Sequence, residues 1–209
     1  MNFKFKHPFT CLISGPTQSG KTHFTLELLK KVEEMIEPQP SKIIWCFGAH
    51  QEKVNNGLPE DIVLVEGLAS GLEEIDGSRP TLLILDDLMD EAGDAKEVSE
   101  LFTKGSHHRN LSIMMLVQNV FHQGKIMRTV SLNTHYMILF KNPRDAGQIR
   151  CLANQLFPGK TTFLIDAYKQ ATQKPHGYLL LDFKQSTQEK YRVLSEVLPG
   201  EEGCYFVPK

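Results

Sequence analysis

Short apolar runs alternate along the chain with segments in which apolar residues recur at helical spacing. Several of these runs are apolar throughout, which is typical of parallel strands that helices cover on both faces. The alternation predicts an α/β fold with a mainly parallel sheet. Seven strands are predicted, at residues 9–14, 42–47, 61–66, 81–86, 111–117, 135–140 and 177–183.

Three segments between the predicted strands have the spacing of amphipathic helices. The clearest one spans residues 22–36, and Pro38 and Pro40 follow it as termination signals. Two shorter apolar stripes predict helices around residues 98–102 and 149–156. The last of these helices is expected to begin after Asn142-Pro143.

Length and composition are those of one globular domain. The 209 residues include 41% hydrophobic and 23% charged residues, with a formal net charge of −2. We therefore expect a single domain over residues 1–209 and no whole-molecule attraction to nucleic acid. The cysteines form no CxxC pair, and no apolar run approaches the roughly 20 residues of a membrane span, so a soluble intracellular protein is expected.

The segment GPTQSGKT lies between the first predicted strand and the first predicted helix. It matches G-x-x-x-x-G-K-[ST], in which glycines let backbone N–H groups converge on phosphates at a helix N-terminus. Lys21 is expected to reach the β- and γ-phosphates, and the Thr22 hydroxyl is expected to bind Mg²⁺. The predicted nucleotide-binding loop comprises Gly15, Pro16, Thr17, Gln18, Ser19, Gly20, Lys21 and Thr22.

Two adjacent acids, Asp86 and Asp87, follow the aliphatic run TLLIL. A phosphate loop needs a second anchor for Mg²⁺ at the end of a neighbouring strand, and Asp86 is predicted to supply it. Strand alternation predicts that Asp87 points another way, toward the attacking water, where it acts as general base. A solvated strand end is the alternative interpretation of such a pair.

Gln118 and a basic loop flank the predicted strand at 111–117. The Gln118 amide is predicted to bind a γ-phosphate and to orient water, although strand-end amides also form turns. In the loop KGSHHRN, Arg109 is a candidate arginine finger that acts on the site of a neighbouring subunit. Other basic residues near this edge fit either a DNA backbone in a ring channel or an ordinary solvated surface: Lys125, Arg128, Lys141 and Arg144.

The order of the motifs GPTQSGKT, LLILDDL, HHRNLSIMMLVQN and NTHYMILFKNPRD resembles that of the FtsK/HerA-like ATPases. Within that group, the chain is most similar to the genome-packaging ATPases of poxvirus-like and adenovirus-like viruses and of Polinton/adintovirus elements. The resemblance extends over about residues 8–209, including a tail of HGYLLLDF, a short helix and CYFVPK. It implies a three-layer P-loop NTPase fold of the additional-strand catalytic (ASCE, RecA-like) type with a mainly parallel central sheet.

The resemblance also implies roles for individual residues. Lys21 and Thr22 would bind phosphate and Mg²⁺, and Asp86 would be the acid on the metal side. Asp87 would be the base and Gln118 the γ-phosphate sensor. Many FtsK/HerA-like proteins have Glu where Asp87 stands, so this shorter acid has to lie closer to its water or act through a second one. The family's finger does not fall at Arg109 without a gap, which leaves Arg128 and Arg144 as alternatives.

The function implied by the resemblance is a homo-oligomeric ring that hydrolyses ATP with Mg²⁺ and moves double-stranded DNA into a viral capsid. Its partners would be the DNA backbone and a capsid or portal protein, with no membrane, in the host nucleus, a cytoplasmic viral factory or the virion. One alternative is a P-loop kinase that transfers the γ-phosphoryl group to a small acceptor. Another is a nucleotide-gated binding module, although such a switch needs no dedicated base like Asp87.

Overall fold

The computed structural model describes residues 3–48, 59, 62–88, 92–105, 110–119, 125–144 and 146–208. Its strands are β1 (Phe5–Lys6), β2 (Thr10–Ser14), β3 (Ile36–Glu37), β4 (Lys42–Phe47), β5 (Ile62–Glu66), β6 (Thr81–Asp86), β7 (Leu111–Val117), β8 (Tyr136–Phe140), β9 (Tyr178–Asp182), β10 (Val193–Ser195) and β11 (Cys204–Tyr205). Its α-helices are α1 (Lys21–Lys30), α2 (Val32–Met35), α3 (Leu68–Glu73), α4 (Ala92–Glu100), α5 (Lys125–Leu132), α6 (Ala146–Leu156) and α7 (Thr161–Ala171). A π-helix at Leu101–Gly105 continues α4.

Most strands join one sheet in the order β11-β10-β9-β8-β2-β7-β6-β4-β5. Neighbouring strands from β8 to β5 are parallel, whereas β9, β10 and β11 are added antiparallel. All seven predicted strands lie in this sheet, and each observed end is within one residue of the predicted end. The predicted α/β fold with a mainly parallel sheet is therefore confirmed.

Strand β7 lies between β2, which leads into the phosphate loop, and β6, which ends at Asp86. Ser14 of β2 is level with Val117, and Asp86 is level with Leu116. This inserted strand is the feature expected of the additional-strand type. The carboxyl ends of three parallel strands consequently meet at one edge, which is where ligands bind in open α/β sheets.

Helices cover both faces of the sheet, as its fully apolar strands require. On one face, Phe24 and Leu28 of α1 pack against a core that includes Ile84 and Met114. On the other face, helices α3 to α7 cover a second core that includes Leu83 and Met115. The result is three layers, with α1 and the phosphate loop on one side of the sheet.

The helix predicted at 22–36 is shorter than expected. It ends at Lys30, and Lys31, with φ of −128°, separates it from the short helix α2. Ile36 is extended because it pairs with Phe5 in a small parallel sheet formed by β1 and β3. A contact between distant segments therefore overrides the helical pattern at its end.

The tail also differs from the expectation. The predicted short helix is a single 3₁₀ turn at Glu189–Tyr191, and strand β10 follows it. β10 pairs with β9, and β11 then pairs with β10 at the edge of the sheet. The strand expected within CYFVPK is thus confirmed.

Within the described ranges, no helix combines the length and the apolar character needed to cross a membrane. All four cysteines are unpaired, and Cys11 and Cys46 are buried.

Candidate nucleotide-binding site

The phosphate loop connects the end of β2 directly to the first residue of α1. The Gly15 N–H donates to the Val117 carbonyl at 3.2 Å, which attaches the start of the loop to β7. At the other end Gly20 has φ of 115°, a conformation that favours glycine, and Lys21 begins the helix. In the part of the chain that the structure describes, no side chain caps this helix N-terminus. The N–H groups of its first turn are therefore available to an anion, as the motif predicts.

The Lys21 side chain is half-buried and lies against the loop itself. Its Nζ donates to the carbonyl oxygens of Gly15 at 2.6 Å and Pro16 at 3.2 Å. Burial lowers the pKa of Lys21, and the nearby charges of Asp86 and Asp87 partly oppose that change. The ammonium group is thus within electrostatic range of the two acids predicted from the sequence.

Asp86 is the buried acid of the pair, with only 5% of its surface exposed. Its Oδ2 atom is buried and has no hydrogen-bond partner among the described residues. Burial, and then repulsion by Asp87, raises the pKa of Asp86 to about 6. Lys21 opposes this rise, and so to a smaller extent does the nearby Trp45 indole, whose N–H does not reach full hydrogen-bond geometry.

Asp87 is exposed and lies just beyond the end of β6. Its φ is 57°, in the left-handed region that Asp enters more readily than most residues. Strand alternation therefore stops at Asp86. Both acids line the same cavity, Asp86 as the buried residue and Asp87 as the exposed one, and the prediction that Asp87 faces the attacking water stays a prediction.

That cavity, of about 390 Å³, lies between the phosphate loop and the ends of β6 and β7. Six residues of the predicted loop line it, from Thr17 to Thr22. Asp86, Asp87 and Gln118 form the wall on the β6 and β7 side. The structure therefore brings together the loop, both acids and the strand-end amide, which come from three separate parts of the sequence.

The arrangement fits a divalent cation as well as a phosphate. A buried carboxylate oxygen with no hydrogen-bond partner among the described residues, as at Asp86, is a ligand that Mg²⁺ prefers, and Thr22 lines the same cavity. Thr22 and Asp86 are therefore the residues that would hold Mg²⁺, where the ion would neutralise charge on the phosphate oxygens.

Two of the three candidate finger residues, Arg128 and Arg144, are among the described residues. Arg109 lies outside the described residues, and so do the side chains of Lys104 and Lys125. Arg128 and Arg144 are exposed, and neither lines the cavity. Among the residues that the structure describes, Lys21 is the only lysine or arginine that lines the cavity.

Two histidines of the cavity wall were not predicted from the sequence. His23 directly follows Thr22, so its place next to the motif is the signal that points to it. His176 comes from the turn before β9, and its Nδ1 lies 3.1 Å from the carbonyl oxygen of Ser19. Ser19 and His176 are 157 positions apart in the sequence, so no local pattern reveals this contact.

Solved structures with a related fold match most of the chain. The genome packaging NTPase B204 from Sulfolobus turreted icosahedral virus 2, in complex with ATP-gammaS, aligns over 96% of this chain and 98% of its own, with 13% identity and a TM-score of 0.51. The cytoplasmic domain of EssC aligns over 96% of this chain and 39% of its own, with 14% identity and a TM-score of 0.51. Thermomonospora curvata EccC (ATPases 2 and 3), in complex with a signal sequence peptide, aligns over 66% of this chain and 31% of its own, with 12% identity and a TM-score of 0.50.

Neither a protein-family model nor a curated protein sequence matches the chain. At such low sequence identities, the structural likeness shows the fold alone. The activity has to be argued from the site. The inserted strand, the loop at the start of α1 and these three likenesses agree. The chain has the α/β fold of the P-loop NTPases.

Proposed function

We propose that this protein is a Mg²⁺-dependent ATPase that assembles into a homo-oligomeric ring and drives double-stranded DNA into a viral capsid. The observation that carries the ATPase part is the shared cavity of Lys21, Asp86, Asp87 and Gln118. A loop that only bound phosphate would need neither the second acid nor the amide. B204, described as a genome packaging NTPase with bound ATP-gammaS, supports both the nucleotide and the DNA part.

Each residue has a step in this mechanism. A water oxygen forms a bond to the γ-phosphorus while the bond from that phosphorus to the bridging oxygen of ADP breaks. Asp87, exposed at the cavity wall, accepts the proton of the water, and Gln118 orients the water and the γ-phosphate. Lys21 leaves its loop carbonyls and binds the β- and γ-phosphate oxygens, whose charge it neutralises.

The proposal of a ring is supported by the composition of the cavity wall. Its described residues include no arginine. Phosphoryl transfer in this class of enzyme is often completed by an arginine that a neighbouring subunit provides. Arg109 is our leading candidate, and Arg128 and Arg144 are the alternatives. Lys141 and Arg144 are exposed beyond the end of β8, at the same edge as the cavity, where they suit a DNA backbone.

The test is ATP hydrolysis by the full chain with Mg²⁺, measured with and without duplex DNA. We expect turnover that rises with added DNA and a DNA effect that weakens with salt. Sedimentation with ATPγS and DNA should show the ring. Absence of turnover under all conditions would reject the ATPase, and turnover that DNA leaves unchanged would reject the translocase.

Two other ligands belong in the same assay. A small phosphoryl acceptor that is phosphorylated would indicate the kinase alternative. A signal sequence peptide is included because EccC has been solved with one. Stimulation by the peptide in place of DNA would move the proposal from a DNA motor to a polypeptide motor.

A further inference from the structure

His176 lies in the turn between α7 and β9 and forms part of the cavity wall next to the phosphate loop. Its Nδ1 is 3.1 Å from the carbonyl oxygen of Ser19. A carbonyl oxygen only accepts, so Nδ1 must carry the proton of this hydrogen bond. Within the described part of the chain, Nε2 makes no hydrogen bond, so it remains available to a ligand.

The backbone holds this side chain against the loop. His176 has φ of 59°, and the next residue, Gly177, donates its N–H to the Lys174 carbonyl at 3.1 Å. A Cβ at Gly177 would lie 2.4 Å from the carbonyl oxygen of Ala171, so the turn closes tightly on the end of α7. A Cβ at Gly20 would lie 3.2 Å from His176 Nδ1, which shows that the imidazole packs directly on the phosphate loop.

The sheet order places His176 on the opposite side of β2 from the groups suited to the γ-phosphate. Asp86 and Gln118, the groups suited to the γ-phosphate, follow β6 and β7, which lie on one side of β2. His176 precedes β9, which lies two strands away on the other side of β2, beyond β8. A nucleotide whose phosphates follow the loop from the acids toward His176 therefore has its ribose and base near this histidine.

We propose that His176 is a nucleoside-contacting residue, with Nδ1–H anchored on Ser19 and Nε2 directed to the ribose and base of the bound nucleotide. This inference rests on the proposed function, because it assigns a role within the same nucleotide site. It predicts that His176 contributes to the binding of a nucleotide and contributes nothing to the binding of phosphates alone.

The experiment compares ATPγS with inorganic tripolyphosphate by calorimetry, with Mg²⁺ and the full chain. His176→Gly removes the imidazole and suits the left-handed backbone. We expect it to weaken ATPγS binding about tenfold and to leave tripolyphosphate binding unchanged. Lys174→Ala, an exposed substitution in the same turn, is the control and should leave both affinities unchanged.

Each other outcome is informative. If the wild-type protein binds neither ligand, the proposed function itself fails. If it binds ATPγS and His176→Gly binds it equally well, only the role of His176 fails. Equal weakening of both ligands would show that His176 only shapes the loop through Ser19. Full rescue by His176→Asn, which keeps a donor for Ser19 and tolerates the backbone, would likewise overturn a contact through Nε2.

Discussion

The Nζ atom of Lys21 lies 2.6 Å from the carbonyl oxygen of Gly15, so the cation of the phosphate loop is bound to the backbone of its own loop. The Pro16 carbonyl, at 3.2 Å, is a second acceptor. A bound triphosphate offers charged oxygens in place of these neutral ones, and charge-assisted hydrogen bonds are the stronger kind. Nucleotide binding is therefore expected to draw the ammonium group from the loop into the cavity.

Lys21→Ala should abolish turnover, because nothing else described in the cavity wall neutralises the phosphates as a permanent cation. We expect ATP hydrolysis to fall by at least about 100-fold. The matched control is Lys30→Ala at the exposed end of the same helix, where the side chain is bound to Glu27 at 2.7 Å. Lys30→Ala should keep wild-type turnover. Normal hydrolysis by Lys21→Ala would remove the basis of the proposed function.

Asp87→Asn should bind nucleotide and fail to hydrolyse it. Asn tolerates the left-handed φ of 57°, so the substitution removes the base without straining the backbone. We expect a turnover loss of about 100- to 10,000-fold and an unchanged affinity for ATPγS. Asp87→Gly relaxes the backbone and also lacks the carboxylate, so it should show the same loss. A variant that hydrolyses ATP normally would show that Asp87 is not the base.

Much of the fold is predictable from local pattern because the strands are covered on both faces. TLLILD and LSIMMLV are buried at every position, and such runs have few other places in a globular protein. Helices α3, α5 and α7 were not predicted, although buried residues lie at helical spacing in two of them, Met127 and Val130 in α5 and Leu164 and Ala167 in α7. The pairing of β1 with β3 joins two-residue strands from distant segments, which no local pattern shows.

The candidate site divides in the same way. Lys21 and Thr22 were predictable because the spacing of a phosphate loop fixes where its backbone turns into a helix. Asp86 was predictable because it ends an aliphatic strand, although the roles of all three stay predictions. The left-handed turn at Asp87 and the contact between His176 and Ser19 depend on the assembled fold, so strand alternation and motif matching could not supply them.

Tyr178→Phe should destabilise the fold without altering the nucleotide site. The buried Tyr178 hydroxyl donates to Glu201 Oε2 at 2.6 Å and accepts from the Val197 N–H at 2.8 Å. Removing it leaves a buried N–H without its acceptor, which costs about 1–3 kcal/mol in the free energy of unfolding. Urea unfolding measures this loss. Tyr191→Phe, at an exposed tyrosine, is the control and should change stability by less than about 0.5 kcal/mol.

Mixed rings should identify the finger arginine. If Arg109 acts on the neighbouring site, Arg109→Ala subunits mixed with wild type should lower the activity below the average weighted by their fractions. The same mixing with Arg128→Ala and Arg144→Ala should then give only the weighted average. Arg79→Ala, an exposed residue before the start of β6 and so at the opposite edge of the sheet, is the control. Loss confined to mixtures with one of the alternatives would transfer the role to that arginine.

Asp86 should make the ligand-free protein less stable as pH rises. Burial and the adjacent Asp87 raise the pKa of Asp86 from 3.8 to about 6, so the folded state holds this proton more tightly than the unfolded chain. The stabilisation from the bound proton is complete below about pH 4 and is lost as pH rises through about 6. The full difference corresponds to at most about 3 kcal/mol.

Asp86→Asn removes this titration, so its free energy of unfolding relative to wild type should increase between pH 4 and pH 7. Urea unfolding at both pH values, without nucleotide or Mg²⁺, measures the difference. With Mg²⁺ and ATPγS present, the wild-type protein should be the more stable of the two at pH 7. The cation then pairs with the Asp86 carboxylate, whose buried Oδ2 has no partner among the described residues. If the difference in free energy of unfolding stays constant from pH 4 to pH 7, the pKa of Asp86 is not raised in the folded protein. That result would remove this support for Asp86 as a Mg²⁺ ligand.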